Sequence, residues 1–168
     1  MNTRRKISTM SLALIQHPKQ CARLADEPAL MPTAIEEILR WTSPITHIAR
    51  VATHDIGIGG RQIREGDRVA LWLPSANRDE SVFDDPYRFD VSRNPNEQIA
   101  FGKGEHFCAG AHLARLELRL LLSNLLPRIE HFELAGKVER LKSNLIAGIK
   151  HMPVQFEHTR AGRDEPAR

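Results

Sequence analysis

Apolar residues recur at helical spacing through the first quarter of the chain and then switch to alternation. Residues 4–16 and 18–27 read as two helices parted at Pro18, and residues 32–41 as a third. Pro32 suits a first turn, Thr33-x-x-Glu36 has the form of a capping box, and Ile35, Ile38, Leu39 and Thr42 make a buried stripe. Residues 46–73 alternate around Gly57–Gly60 and Glu65-Gly66-Asp67, which predicts short strands, the clearest being Val69–Leu73 before Pro74. Residues 74–98 are a polar connection, and a stretch that long without regular structure is functional or disordered. Residues 109–126 form the strongest helix. Leucines cover most of its circumference and leave His112, Arg115 and Arg119 as a narrow polar stripe, so it is expected to be largely buried and to end at Pro127. Residues 128–157 return to short strands, including Val154–Phe156, and 159–168 form a polar tail. The resulting fold class is mainly α with small β-sheets (α+β), in one unit over residues 1–158.

Composition narrows the classes. The 168 residues, 41% of them hydrophobic, suffice for one core. A net charge of +3 from 24 basic and 21 acidic residues is too balanced to argue for nucleic acid. Two distant cysteines give no disulfide framework and suit a reducing cytoplasm. No apolar run has the length of a membrane anchor. Arg4-Arg5-Lys6 before Ile7–Ile15 has the outline of a signal peptide. Ser8, Thr9 and Ser11 interrupt the run, however, and Gln16-His17-Pro18 offers no small-residue cleavage site.

The chemistry concentrates in Phe101-Gly102-Lys103-Gly104-Glu105-His106-Phe107-Cys108-Ala109-Gly110. Glycines 102, 104 and 110 permit positive φ or a close approach to a flat body. Cys108 stands at the start of the leucine-rich helix, where free N–H groups and the helix dipole favour a thiolate. No Walker lysine–hydroxyl pair follows, G-x-G-x-x-G is broken at Phe107, and two cysteines do not make a structural zinc site. Two readings stay open from the residues alone: Cys108 as an anionic ligand to one metal centre, and Cys108 as a small packing residue. Glu37 and Arg40, three apart, fall opposite the apolar stripe, where spacing alone implies a solvated pair worth about 0–1 kcal/mol.

The loop resembles the haem-binding loop of the cytochrome P450 family, F-x-x-G-x-x-x-C-x-G, at Phe101, Gly104, Cys108 and Gly110, and His106 matches its bacterial form. Glu37-Ile38-Leu39-Arg40 matches the family's E-x-x-R signature, and Pro86-Tyr87-Arg88-Phe89 resembles the P-x-R-F element of its meander. Asn77-Arg78-Asp79 resembles the meander as well, without an implied site role. The resemblance runs over about residues 3–157 and implies the C-terminal portion of that fold, less than half the family's usual length. It implies haem b as cofactor, with Cys108 as the iron ligand, Phe101 and Gly110 shaping the loop, and Arg50 and His106 donating to the propionates. It also implies a Glu37–Arg40–Arg88 cluster that locks the meander and whose loss abolishes haem incorporation. Pro44–Ala49 and Leu145–Ile149 correspond to substrate-lining segments, through Ile45, Thr46, Ile48, Ala49, Ile146 and Ala147. Residues 138–153 resemble the subgroup that hydroxylates steroid or terpenoid side chains.

The implied activity is monooxygenation of a small hydrophobic substrate by O2. Electrons would come from a ferredoxin-type partner and its reductase, docking on Lys103, Arg115 and Arg119. The family's acid–alcohol pair has no match at Met1 and Asn2, so two further expectations stand beside this one: an inactive fragment that binds haem weakly or not at all, and a small non-enzymatic interaction domain.

Overall fold

A computed structural model describes residues 3–159. Helices α1 (Thr3–Gln16), α2 (Pro18–Asp26) and α3 (Met31–Thr42) come first, with a 3-10 turn at Pro28–Leu30. Four strands follow: β1 (His47–Val51), β2 (Ile56–Ile58), β3 (Arg61–Ile63) and β4 (Arg68–Trp72). A short helix α4 (Leu73–Ala76) precedes the long connection to α5 (Ala111–Leu125), and a 3-10 turn at Leu126–Arg128 leads into β5 (Ile129–Leu134), β6 (Glu139–Arg140), β7 (Ile149–His151) and β8 (Val154–His158). The strands pair antiparallel as β1–β4, β2–β3, β5–β8 and β6–β7. The α+β class follows from the sequence pattern, with ends differing by one or two residues.

The core is a helical layer with the connection folded into it. Met10, Ala13 and Leu14 of α1, Ala34, Ile35, Ile38 and Leu39 of α3, and Ala111, Ala114, Leu118 and Leu122 of α5 are all buried. Phe89, Val91, Ala100 and Phe101 of the connection join the same cluster. Residues 74–98 are therefore ordered without sheets. Thr33 Oγ1 donates to the Val91 carbonyl (2.7 Å), and Val91 N–H to Gln20 Oε1 (3.0 Å).

Four expectations need correction. Thr33 does not build a capping box. Its hydroxyl turns to the Leu30 and Val91 carbonyls, and Glu36 reaches Arg115 instead. The strand ahead of Pro74 closes at Trp72, and Leu73 opens α4. Helix α5 is not largely buried: Ala111, Ala114, Leu118 and Leu122 face the core, while Leu113, Leu116 and Leu120 are 60%, 50% and 55% exposed. A helix apolar all round needs partners on two sides, and the described residues supply one. Thr159, placed in the tail by sequence, is tied to the Arg128 carbonyl through its N–H (3.1 Å). The rest of that tail, with Met1 and Asn2, lies outside the described residues.

Candidate functional site

The loop from Phe101 to Gly110 is a closed turn ahead of α5. Cys108 N–H donates to the Phe101 carbonyl (3.0 Å), Phe107 N–H to Gly104 (3.0 Å), and Ala111 N–H to Cys108 (3.0 Å). Gly102 and Gly104 adopt φ of +75° and +82°, where an L side chain is strained. Gly110 has an ordinary φ of −86°. A Cβ there would stand 3.9 Å from Cys108 Sγ, an ordinary van der Waals distance, so Gly110 lies beside the sulfur without a steric need for glycine. Phe101 is buried beneath the loop and meets Phe107 edge-on, at 6.3 Å between ring centroids. The thiol of Cys108 is free and half-buried, and residues 103–107, 109 and 110 are exposed. Among the described residues no three of His, Cys, Asp and Glu converge to hold a metal ion.

Behind the loop, Glu37 and Arg40 are both fully buried, which overturns the solvated pair inferred from spacing. Arg40 forks onto the carboxylate, Nε to Oε2 at 2.7 Å and Nη2 to Oε1 at 2.9 Å. Its Nη1 donates to the Asn77 and Pro86 carbonyls (2.7 and 2.9 Å), and Nη2 also reaches the Arg88 carbonyl (3.2 Å). Glu37 accepts further bonds from Asp90 N–H (3.0 Å) and Asn96 Nδ2 (3.1 Å). Planar bidentate pairing of this kind fixes orientation as well as energy.

Arg88 is not the third charged member. Its side chain is 64% exposed and lies 3.5 Å from Asp90, because this turn of chain sends its carbonyls inward to Arg40 and its side chain outward. Arg93 takes the place, with Nε 3.2 Å from Glu37 Oε2 and only 10% of its side chain exposed. That contact is ionic without the alignment of a hydrogen bond. Arg93 spends its Nη groups on the Asp84, Asp85 and Arg88 carbonyls. Asn77, assigned no role from sequence, is fully buried, donating to Ser43 Oγ (2.8 Å) and accepting from Ile99 N–H (2.8 Å). It clamps both ends of the connection, and its only sequence signal was the meander-like Asn77-Arg78-Asp79.

The two apolar segments do meet. Ile45 bridges Ile146, Thr46 N–H donates to Leu145 (2.9 Å), Ala147 N–H donates to Pro44 (3.0 Å), and Thr46 Oγ1 bonds the Asn144 carbonyl. Ile48 carries β1 to the cysteine loop, since a Cβ on Gly102 would lie 3.5 Å from its Cδ1. Arg50, two residues on and on the same face of β1, is exposed and donates to the Ala49 carbonyl (2.9 Å). His106 is exposed on the loop.

The sequence profile of the family described as Cytochrome P450 matches residues 14–157. Linalool 8-monooxygenase of Pseudomonas putida is 43% identical over 90% of this chain and 37% of its own length. Steroid C26-monooxygenase of Mycolicibacterium smegmatis is 44% identical over 92% of the chain and 39% of its own. A crystal structure of P450BioI with a fatty-acid-ligated acyl carrier protein superposes with a TM-score of 0.88 at 42% identity, covering 92% of this chain and 41% of that one. The chain belongs to the cytochrome P450 family. It spans 34–39% of the length of the curated relatives it matches.

The cofactor of this family is haem b, and the residues present fit it. A free, half-buried thiol, a soft donor suited to iron, stands on a loop turned by Gly102 and Gly104 at positive φ, among the exposed residues 103–107, 109 and 110.

Proposed function

We propose that this chain is the cysteine-bearing part of a haem-thiolate monooxygenase that inserts one oxygen atom of O2 into a small hydrophobic substrate. The observation that carries the reading is the Cys108 loop, closed on itself and backed by the buried Glu37–Arg40 pair. When bound, haem b supplies the oxygen-activating chemistry, promoted by a thiolate ligand.

The residues of this chain have separate tasks. Cys108 presents the sulfur. Phe101, buried beneath the loop, and Gly110, beside the sulfur, would help shape the surface that receives the ring. Arg50 and His106 are exposed donors for propionates at its rim. Ile45, Thr46, Ile48, Ala49, Ile146 and Ala147 belong to segments that the Ile45–Ile146 bridge draws together, and they would line the substrate side, apolar except at Thr46, whose hydroxyl is spent on the Asn144 carbonyl. The activities named for the linalool and steroid relatives support a terpenoid or steroid side chain as the substrate class.

Electrons come from a ferredoxin-type protein and its reductase, with exposed Lys103 and Arg119 offering positive charge beside the loop. A cytoplasmic setting accords with two free cysteines, and no described helix is long and apolar enough to cross a membrane.

A second reading, that the chain by itself takes up haem weakly or not at all, draws support from the exposure of Phe107, Leu113, Leu116 and Leu120 around the loop and α5. One titration separates the two. The chain is mixed with haem, reduced and exposed to carbon monoxide. A strongly red-shifted Soret band that Cys108→Ala abolishes supports the monooxygenase reading. Absence of the band in the native chain overturns it in favour of the second.

A further inference from the structure

Arg115 lies on the polar stripe of α5, where the sequence suggests a docking charge. Its geometry gives it other work. Nε and Nη2 fork onto the two oxygens of Glu36 at 2.6 and 2.9 Å, and the guanidinium lies 4.8 Å from the ring centroid of Phe101. Glu36 also accepts from Gln98 Nε2 (2.8 Å), while Gln98 Oε1 accepts from Ala100 N–H (2.7 Å). Burial alone would push the Glu36 carboxyl up. The hydrogen bonds from Arg115 and Gln98 and the charge of Arg115 outweigh that and hold it below its ordinary value. The bond to Glu36 in turn raises Arg115.

We propose that Arg115 and Glu36 are positioning residues for the Cys108 thiol: the single carboxylate of Glu36 fastens both ends of the cysteine loop to α3. At the entry, Glu36 holds Gln98, which holds Ala100. At the exit, it holds Arg115 in the second turn of α5, and Arg115 covers Phe101. The Phe101 carbonyl receives the Cys108 N–H, so a shift of Phe101 is a shift of the sulfur. Adjacent carboxylates on α3 thus divide the work: Glu37 locks the long connection, and Glu36 locks the loop that follows it. Both partners are about one-third exposed or less, 27% for Glu36 and 32% for Arg115, so the pair is screened less than a solvated one. A lysine would keep the charge but lose the planar fork and the stacking on Phe101. The inference rests on Cys108 being the iron ligand, and it removes Arg115 from the docking set.

The test uses the full chain and two readouts. Without haem, alkylation of each cysteine by iodoacetamide is followed by mass spectrometry. With haem, the fraction of the reduced, carbon-monoxide-treated sample showing the thiolate-type Soret band is measured. Arg115→Lys and Glu36→Gln are each expected to speed alkylation of Cys108 severalfold, leave Cys21 unchanged, and lower the thiolate-type fraction. The double variant should be no worse than the worse single one, and Arg119→Lys should behave as the native chain. Native alkylation of Cys108 in Arg115→Lys overturns the proposal, because charge alone then suffices. An equal rise at Cys21 and Cys108 also overturns it, since the pair then acts only on global stability. Absence of the thiolate band in the native chain overturns the proposed function, while the alkylation readout still decides this inference.

Discussion

Replacing Glu37 by alanine should damage the fold more than replacing Arg40, although the two form one pair. Arg40→Ala leaves the Glu37 carboxylate with Arg93, Asp90 N–H and Asn96 Nδ2 around it. Its loss falls mainly on the Asn77 and Pro86 carbonyls and on the space the side chain filled. Glu37→Ala leaves two buried guanidinium groups, Arg40 and Arg93, without the carboxylate between them, and strands the donors of Asp90 and Asn96. Breaking a buried pair costs about 3–5 kcal/mol when one charge is left uncompensated. Each stranded buried donor adds about 1–3 kcal/mol. Arg40→Ala therefore belongs near the lower end of about 3–5 kcal/mol, and Glu37→Ala at or above its upper end. Set against a typical total of about 5–15 kcal/mol, the second loss brings the chain close to unfolding. Urea denaturation followed by circular dichroism measures both, with Glu37→Gln as a milder variant should the alanine form not fold. A larger loss for Arg40→Ala than for Glu37→Ala would show that Glu37 is not the hub of the cluster, and less than about 1 kcal/mol for both would place the pair among solvated ones.

Other predictions address the loop and its supports. Arg88→Ala should change stability by less than about 0.5 kcal/mol, as surface substitutions do, whereas Arg93→Ala should cost at least about 1 kcal/mol through Glu37 and the carbonyls it holds; denaturant midpoints decide the order. Gly102→Ala forces an L side chain to φ of +75° against Ile48 and should cost about 1–2 kcal/mol in the same assay, and an unchanged midpoint would show that the loop relaxes freely. The Glu36 carboxyl is held below its ordinary value of 4.5, so its stabilisation is full above that value and is lost as pH falls through the lowered one. The difference in melting temperature between the native chain and Glu36→Gln should accordingly hold from neutral pH to about pH 5 and shrink below the ordinary carboxylate range, and a constant difference down to strong acid would contradict the pairing.

The sequence carried the element order, the cysteine loop and the E-x-x-R pair because each is local: helical spacing, alternation and glycine punctuation are properties of neighbouring residues. What it could not carry was the choice among chemically similar groups far apart. Arg88 and Arg93 lie in the same polar stretch, and only the path of the chain decides which faces Glu37. Glu36 is a good N3 residue for a capping box by pattern, but its partner is Arg115 on another helix. The wheel that set Glu37 and Arg40 opposite the apolar stripe was sound, yet the long connection folds over that face and buries it. The leucines of α5 gave the reverse error. A helix apolar on all sides implies two partners, and the described residues cover one side.

The proposed function stands on the Cys108 sulfur as the ligand to iron. Iron X-ray absorption fine structure on the haem-loaded chain tests it at the bond itself. One sulfur neighbour of iron is expected in the native chain, absent in Cys108→Ala and retained in Cys21→Ala. Nitrogen and oxygen neighbours alone in the native chain, or a sulfur that survives Cys108→Ala, would contradict it.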